Sequence, residues 1–327
     1  MFCKYNLIII LVAVDLKLSN SFSFNPVCWL SECCNKDYIP GDIERLRTSL
    51  RSRVYGQHLV EDAVDAISGH WNPHHRAEKA LTLSFHGWPG SGKNYVTKFI
   101  AESLYKEGMH SSFVHNFIGR VHFPEEEKVK QYNENLGIWL KGNISQCPKQ
   151  LFIFDEVDKM PADILNAVKP MIDYKNIVDG VDYTKAIFIF LSNTGATIIN
   201  EHYHRLWHAG KKREELKLND FENLISKGVF NEKGGFHHSD TIRSNLIDHY
   251  IPFFPMQEYH VKECIKDQFR ERHVHNPRGS HIQEVMDFIE WGPDDSKLFS
   301  KTGCKRISSK VALLVAKHYP LASKQEL

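Results

Sequence analysis

The segment GWPGSGKN, Gly87 to Asn94, spaces its glycines and lysine as a phosphate-gripping loop does. In the pattern G-x-x-x-x-G-K-[ST], glycines let backbone N–H groups close on phosphate oxygens. The lysine reaches the β- and γ-phosphates, and the final hydroxyl ligates Mg²⁺. Gly87, Trp88, Pro89, Gly90, Ser91, Gly92 and Lys93 are in register, and Tyr95 follows in the first helical turn. Asn94 stands where the hydroxyl belongs. Asparagine offers a carbonyl oxygen on a longer stem and no hydroxyl. It is expected to serve Mg²⁺ weakly or through water, giving slow hydrolysis rather than lost binding.

Two further elements fit the same chemistry. The apolar run LFIF ends in Asp155-Glu156. Asp155 is expected to hold Mg²⁺, directly or through water, and Glu156 to polarise an attacking water. A second apolar run, AIFIFLS, ends in Asn193, whose neutral amide could orient that water or touch the γ-phosphate. A solvated acidic strand end and a turn asparagine are the ordinary readings of such residues taken singly. Together with the loop, the expected ligands are ATP and Mg²⁺.

These residues need a scaffold, and the hydrophobic pattern supplies one. Short Phe- and Ile-rich runs at 81–85, 113–119, 151–154, 186–192 and 250–254 read as strands. Their consecutive apolar positions suit a sheet covered on both faces. Helical patterns at 42–54, 58–71, 94–106, 125–141, 161–173 and 211–227 alternate with them, which predicts an α/β parallel sheet flanked by helices. Beyond Pro255 the strands stop, and 258–273, 281–291 and 305–319 read as helices of a small lid. The expected organisation is a signal peptide over 1–21, a cysteine-containing segment over 22–40, a nucleotide-binding domain over 41–255 and a lid over 256–327.

The chain has 327 residues, 42% hydrophobic and 25% charged, with net charge +1. That balance offers no electrostatic basis for nucleic acid or an anionic membrane surface. Lys4 followed by LIIILVAV and a polar stretch has the form of a cleaved signal, and the run is too short to span a bilayer. Asn143-Ile144-Ser145 is a glycosylation sequon, and the terminal KQEL is close to the ER-retrieval signal KDEL. Removing Cys3 with the signal leaves six of seven cysteines, an even number suited to an oxidising lumen, with connectivity open. The expected compartment is the ER lumen, including the perinuclear space, with no integral membrane span.

The ordered set GQHL (56–59), GWPGSGKN (87–94), FIFDEVDKM (152–160), KAIFIFLSN (185–193) and GCK (303–305) resembles the torsins, ER-lumenal AAA+ ATPases related to the Clp unfoldases. The resemblance spans nearly the whole mature chain. GKN in place of GK[ST] and the late Gly-Cys-Lys are torsin-like, so Asn94 is a family trait on this reading. The resemblance implies a AAA+ fold, with Lys305 as a second sensor touching the γ-phosphate from the lid. It also puts adenine at Gly56-Gln57. Clp-like relatives carry an arginine finger in the segment similar to NLIDHYIPFFP, where this chain has Leu246, with Arg243 three residues off. The resemblance therefore implies activation in trans by the lumenal domain of a lamina-associated-polypeptide-type membrane protein. Homo- or hetero-oligomers are expected. No Gly-aromatic-Val-Gly pore loop lies before Asp155, which weakens a threading role. Cys304 adjoins Lys305 and Cys264 lies in the first lid helix; either they pair and bias the lid, or both stay thiols. The functional expectation is a partner-activated ATPase that remodels protein or membrane assemblies. Its alternative is a nucleotide-gated scaffold with negligible turnover.

Overall fold

A computed structural model describes residue 28 and residues 31–174, 177–237, 245–293 and 296–319. The signal, KQEL and Arg243 lie outside the described residues. Two compact units divide between Cys33 and Cys34. In the first, Cys28 and Cys33 form a disulfide. The second begins at Cys34 and holds the sheet and the helices.

α1 (Ile43–Arg53) starts where the Asp42 side chain accepts the Arg45 N–H at 2.9 Å, and α2 (Val60–His70) buries Val60, Ala63, Val64 and Ile67 on one stripe. β1 (Leu81–Gly87) leads into α3 (Lys93–Leu104). β2 (Val114–Ile118), the single turn α4 (Gly119–His122) and α5 (Val129–Gln146) follow, then β3 (Leu151–Asp155) and the short α6 (Lys169–Ile172). β4 (Ile177–Val178) and β5 (Val181–Asp182) make a hairpin. β6 (Ile187–Ser192), α7 (Ala196–His208), α8 (Glu222–Asn231) and β7 (His249–Phe253) complete the sheet region. Last come α9 (Glu258–Arg270), α10 (Gly279–Met286), the hairpin β8 (Trp291–Gly292) and β9 (Phe299–Ser300), and α11 (Ile307–His318).

The central sheet runs β2-β3-β6-β1-β7, all parallel. Its strands alternate two kinds of apolar residue. Phe152, Phe154, Phe188 and Phe190 face one core, while Leu151, Ile153, Ile187 and Ile189 face the other. The register pairs Phe152 with Phe188 and Phe154 with Phe190, and their rings stack at 4.9 and 5.4 Å. With period 2, both faces are apolar, so both need helices over them. A third cluster, including Val261, Ile265, Phe269, Ile307 and Val311, holds α9, α10 and α11 together.

Several expected elements differ. The 161–173 pattern forms a 3-10 turn and α6 rather than one helix, because Pro170 removes an N–H and restricts Lys169. The 211–227 pattern opens with two 3-10 turns, where the Glu215 and Asp220 carboxylates accept the Lys212 and Lys217 N–H groups at 2.9 Å. Local side-chain acceptors there compete with an α-helical ladder. α7 was not expected, since its sequence ATIINEHYHRLWH is rich in β-branched and His residues. The strands do not stop at Pro255, because β8 and β9 pair within the lid region. The β4–β5 turn had a sequence signal, Asp179-Gly180, with both residues at positive φ.

Phe188 is fully buried between Phe152 and the surrounding core. Phe188→Ala should lower unfolding free energy by about 3–5 kcal/mol, read as a lower denaturant midpoint at unchanged slope.

Candidate nucleotide site

β1 delivers the phosphate loop to the edge of a cavity of about 510 Å³, within the range of small-molecule sites. Pro89 to Tyr95 form one wall, and α3 begins at the loop with Gly92 left-handed (φ +106) as its N-cap. The helix thus points unsatisfied N–H groups and its positive end into the cavity. Gly87 and Trp88 do not line the cavity; their carbonyls face Lys93 instead.

Lys93 is 7% exposed. Its ammonium donates to the carbonyls of Gly87 and Trp88 and to Asn193 Oδ1 at 3.1 Å, all neutral oxygens. Burial pushes its pKa down to about 8; Asp158 and Asp155 partly offset this, and Lys305 adds to it. A desolvated ammonium aimed into a cavity, held by neutral acceptors, fits an incoming polyphosphate.

Asn94 takes a different partner from the one its position predicts. Its amide nitrogen donates to Asp155 Oδ2 at 2.6 Å. Asp155 Oδ1 accepts the Glu156 N–H at 2.8 Å. Burial raises the Asp155 pKa, and these two hydrogen bonds oppose that. Asp155, Glu156 and Asp158 all line the cavity, and Mg²⁺ needs only one or two carboxylates when phosphates and water complete its shell. Asp155 would hold the metal directly or through water, with Asn94 steadying the carboxylate.

Asn193 stands at the end of β6, beside β3 and β1. Its N–H donates to Asp158 Oδ1 at 3.1 Å, so Asp158 fixes the strand end whose side chain accepts from Lys93. Asp158 escaped the sequence reading, although its place three residues after Asp155 in FDEVDK was visible. Arg120 also escaped it. From α4 it donates to both carboxylate oxygens of Glu156 at 2.6 Å.

Gly56 and Gln57 do not line this cavity; Arg53, Val54 and Tyr55 do. Gln57 is buried, and its amide is spent on backbone. Nε2 donates to Ser91 O at 3.0 Å and Phe254 O at 2.8 Å, and Oε1 accepts the Phe254 N–H at 2.8 Å. It props the phosphate loop from behind. The far wall comes from α9, where Asp267 accepts the Tyr55 hydroxyl at 2.7 Å.

Lys305 reaches the cavity because its loop presses on the phosphate loop. The Cys304 N–H donates to Gly90 O at 3.1 Å. Gly90 (φ +80) and Gly303 (φ +54) meet so closely that a Cβ on Gly90 would overlap Thr302 O, and one on Gly303 would overlap Gly90 O. Cys264 and Cys304 form a disulfide, Cα–Cα 6.2 Å, tying α9 to this loop. Cys147 pairs with Cys34. Leu246 is buried at 2% exposure, so its side chain points into the core. Asn143 lies in the last turn of α5, its Nδ2 donating to Trp139 O at 2.8 Å.

A glycine-rich loop ending in Lys93, an acidic strand end and Asn193 at the edge of a β2-β3-β6-β1-β7 parallel sheet give the arrangement of a AAA+ protein of the ATPase type. Solved structures agree on the fold. The chain matches the S. cerevisiae Hsp104–ADP complex at TM-score 0.59 and 18% identity, covering 89% of this chain and 50% of that one. It matches closed-state Hsp104 with ATPγS and FITC-casein at 0.53 and 19%, covering 84% and 46%. The chain thus spans about half the length of those relatives, and that likeness concerns fold alone. Sequence relatives are nearer. A torsin-like protein of Caenorhabditis elegans is 38% identical over 306 residues, 90% of this chain and 84% of that one. One of Drosophila melanogaster is 37% identical over 300 residues, 90% and 88%. The Torsin family model matches residues 28–154. The chain belongs to the torsin family.

Two outcomes follow from this geometry. Lys93 titrates near pH 8 in the folded chain against 10.5 for an ordinary lysine. Between these values the unfolded chain binds more protons, so the Lys93 contribution to stability rises with pH from about 8 to 10.5. ATP restores a counter-charge, so its binding should take up protons near pH 8 and weaken above it. Calorimetry in buffers of different ionisation enthalpy measures the uptake. Gly303→Ala, strained at its φ and in collision with Gly90, should weaken binding of a fluorescent ATP analogue at least about tenfold, or ~1.4 kcal/mol, within the cost of such strain.

Proposed function

We propose that this chain is an ATPase of the ER lumen and perinuclear space whose turnover depends on an arginine donated by another polypeptide. The observation that carries this is one cavity lined by Lys93, Asp155, Glu156, Asn193 and Lys305, while the position of the expected finger is a buried leucine. Backbone N–H groups at Gly90–Asn94 and the Lys93 ammonium bind the β- and γ-phosphates. Arg53–Tyr55 and Tyr95 form the wall nearest the base. Mg²⁺ would neutralise phosphate charge, and Asp155 would hold it, with Asn94 orienting Asp155. Glu156 accepts a proton from the attacking water, whose oxygen bonds to the γ-phosphorus as the bridge to ADP breaks. Asn193, set by Asp158, positions that water, and Lys305 meets the γ-phosphate from the loop before α11.

The missing cation is the guanidinium. Such a finger is worth roughly 10³–10⁵ in rate, and Leu246 supplies none. A lumenal domain of the lamina-associated-polypeptide type is the partner proposed, in a homo- or hetero-oligomeric assembly that remodels proteins or membranes. Three disulfides support the oxidising compartment. No helix among the described residues is long and apolar enough to cross a membrane. Asn143 is the proposed glycan site. Residues 41–255 are the proposed nucleotide-binding domain and 256–327 the proposed lid. A nucleotide-gated scaffold remains the second reading, favoured by Asn94 in place of a metal-ligating hydroxyl and by Leu246 in place of the finger.

Single-turnover hydrolysis with and without a finger-donating lumenal domain separates the two. Under the ATPase reading that domain accelerates cleavage by orders of magnitude. Glu156→Gln then retains ATP and slows cleavage roughly 10²–10⁴-fold, while Lys93→Ala loses binding. ATP retention with no cleavage, partner present, selects the scaffold.

A further inference from the structure

β1 carries a polar stripe through an apolar sheet. Leu81, Leu83 and Phe85 pack into one core, while Thr82, Ser84 and His86 alternate with them on the other face and are fully buried. Buried polar side chains need partners. Thr82 Oγ1 donates to Leu246 O at 2.6 Å. Ser84 and His86 act in series: Ser84 Oγ lies 2.6 Å from His86 Nε2, and His86 Nδ1 lies 3.0 Å from Thr194 O.

A carbonyl oxygen only accepts, so Nδ1 carries the proton. Burial pushes the imidazole pKa down to about 4; the Thr194 hydrogen bond and Asp158 oppose this, and Lys93 adds to it. The ring is therefore neutral, and bare Nε2 accepts from the Ser84 hydroxyl. Phe236 and Tyr250 pack beside it, with ring centroids at 6.1 and 5.9 Å. One tautomer is fixed by its surroundings.

The imidazole spans two arms of the nucleotide site. His86 precedes Gly87, whose carbonyl accepts from Lys93, and Thr194 follows Asn193, whose Oδ1 also accepts from Lys93. Lys93, Gly87, His86, Thr194 and Asn193 thus close a ring of contacts. The β1–β6 register ends at the His86–Ser192 pair, so the imidazole carries the join two residues beyond it. Asp158 holds the N–H of Asn193, and His86 holds the carbonyl of the next residue.

We propose that His86 is a positioning residue: its Nδ1–H, by holding the Thr194 carbonyl, sets where the Asn193 amide stands against Lys93 and the γ-phosphate. The role rests on the hydrolytic reading of Asn193 given above.

The test is single-turnover ATP hydrolysis, with a finger-donating lumenal domain present, by wild type, His86→Asn and His86→Gln. Asparagine places its amide nitrogen where the imidazole carries Nδ1; glutamine reaches toward Nε2 and loses the Thr194 donor. His86→Gln should cleave roughly ten- to hundredfold more slowly, as expected when a buried carbonyl loses its donor and a reacting geometry slips. His86→Asn should recover most of the rate, although glutamine is nearer to histidine in size and would be the better substitute for packing alone. ATP affinity should stay unchanged in both. His86→Gln/Asn193→Ala should cleave no more slowly than Asn193→Ala, because the two act as one unit. Equal rates in all three proteins, a slower His86→Asn than His86→Gln, or affinity lost in step with rate overturns the positioning role and leaves the hydrolytic reading standing. ATP retention without cleavage by wild type overturns both. A readout independent of activity is the nitrogen-15 spectrum of histidine-labelled protein without nucleotide. The His86 signal, assigned by its loss in His86→Asn, should show a protonated Nδ1 and a bare Nε2 from about pH 5.5 to 8. A proton on Nε2 within that range overturns the proposal.

Discussion

The desolvation of one ammonium group organises this molecule. Lys93 is stripped of water at the mouth of a parallel sheet and held by three neutral oxygens, so its affinity for a proton falls to about pH 8. That state is costly alone and would be relieved by an anion, which suits the buried lysine to a phosphate group. Each neighbour is arranged around it. β1 brings the carbonyls of Gly87 and Trp88, β6 brings Asn193, and the turn after β3 brings Asp158 to fix Asn193. Parallel strands end side by side at one edge, so the loop after β1, the turn after β3 and the end of β6 converge although they are far apart in sequence.

A second constraint is steric. Gly90 and Gly303 meet backbone to backbone, and the Cys304 N–H holds the Gly90 carbonyl. The Cys264–Cys304 disulfide extends that contact to α9. Gln57 supports the phosphate loop from the opposite side. A change in the loop is therefore felt at once by Lys305, α9 and the segment before α2. Interfaces packed this tightly have few intermediate positions.

Much of the fold was legible because its strands are short, apolar runs of Phe and Ile, and burial on both faces leaves little other structure for them. The five central strands lie close to where the pattern put them. Legibility failed where local chemistry competed with periodicity. Pro170 broke one helical pattern, and carboxylates at 215 and 220 captured backbone N–H groups in another. α7 stayed hidden because its residues carry weak helix propensity, and its burial against the Phe-rich face is what stabilises it. The Asp179-Gly180 turn was readable in principle, its dipeptide being the usual signal for a tight hairpin.

Spacing alone already names the kinds of groups present: a glycine-lysine loop with asparagine for hydroxyl, an acidic strand end, an amide at Asn193 and a leucine at Leu246. Those features depend on backbone geometry over a few residues, which spacing encodes. Tertiary structure decided which partner each side chain takes. Asn94 holds Asp155, Arg120 holds Glu156, Asp158 sets Asn193, and Gln57 turns to the backbone of Ser91 and Phe254 instead of the cavity. The physical reason is that hydrogen-bond partners are chosen by which strand ends and turns the sheet order brings within 3 Å or so of each other, and no local pattern carries that information.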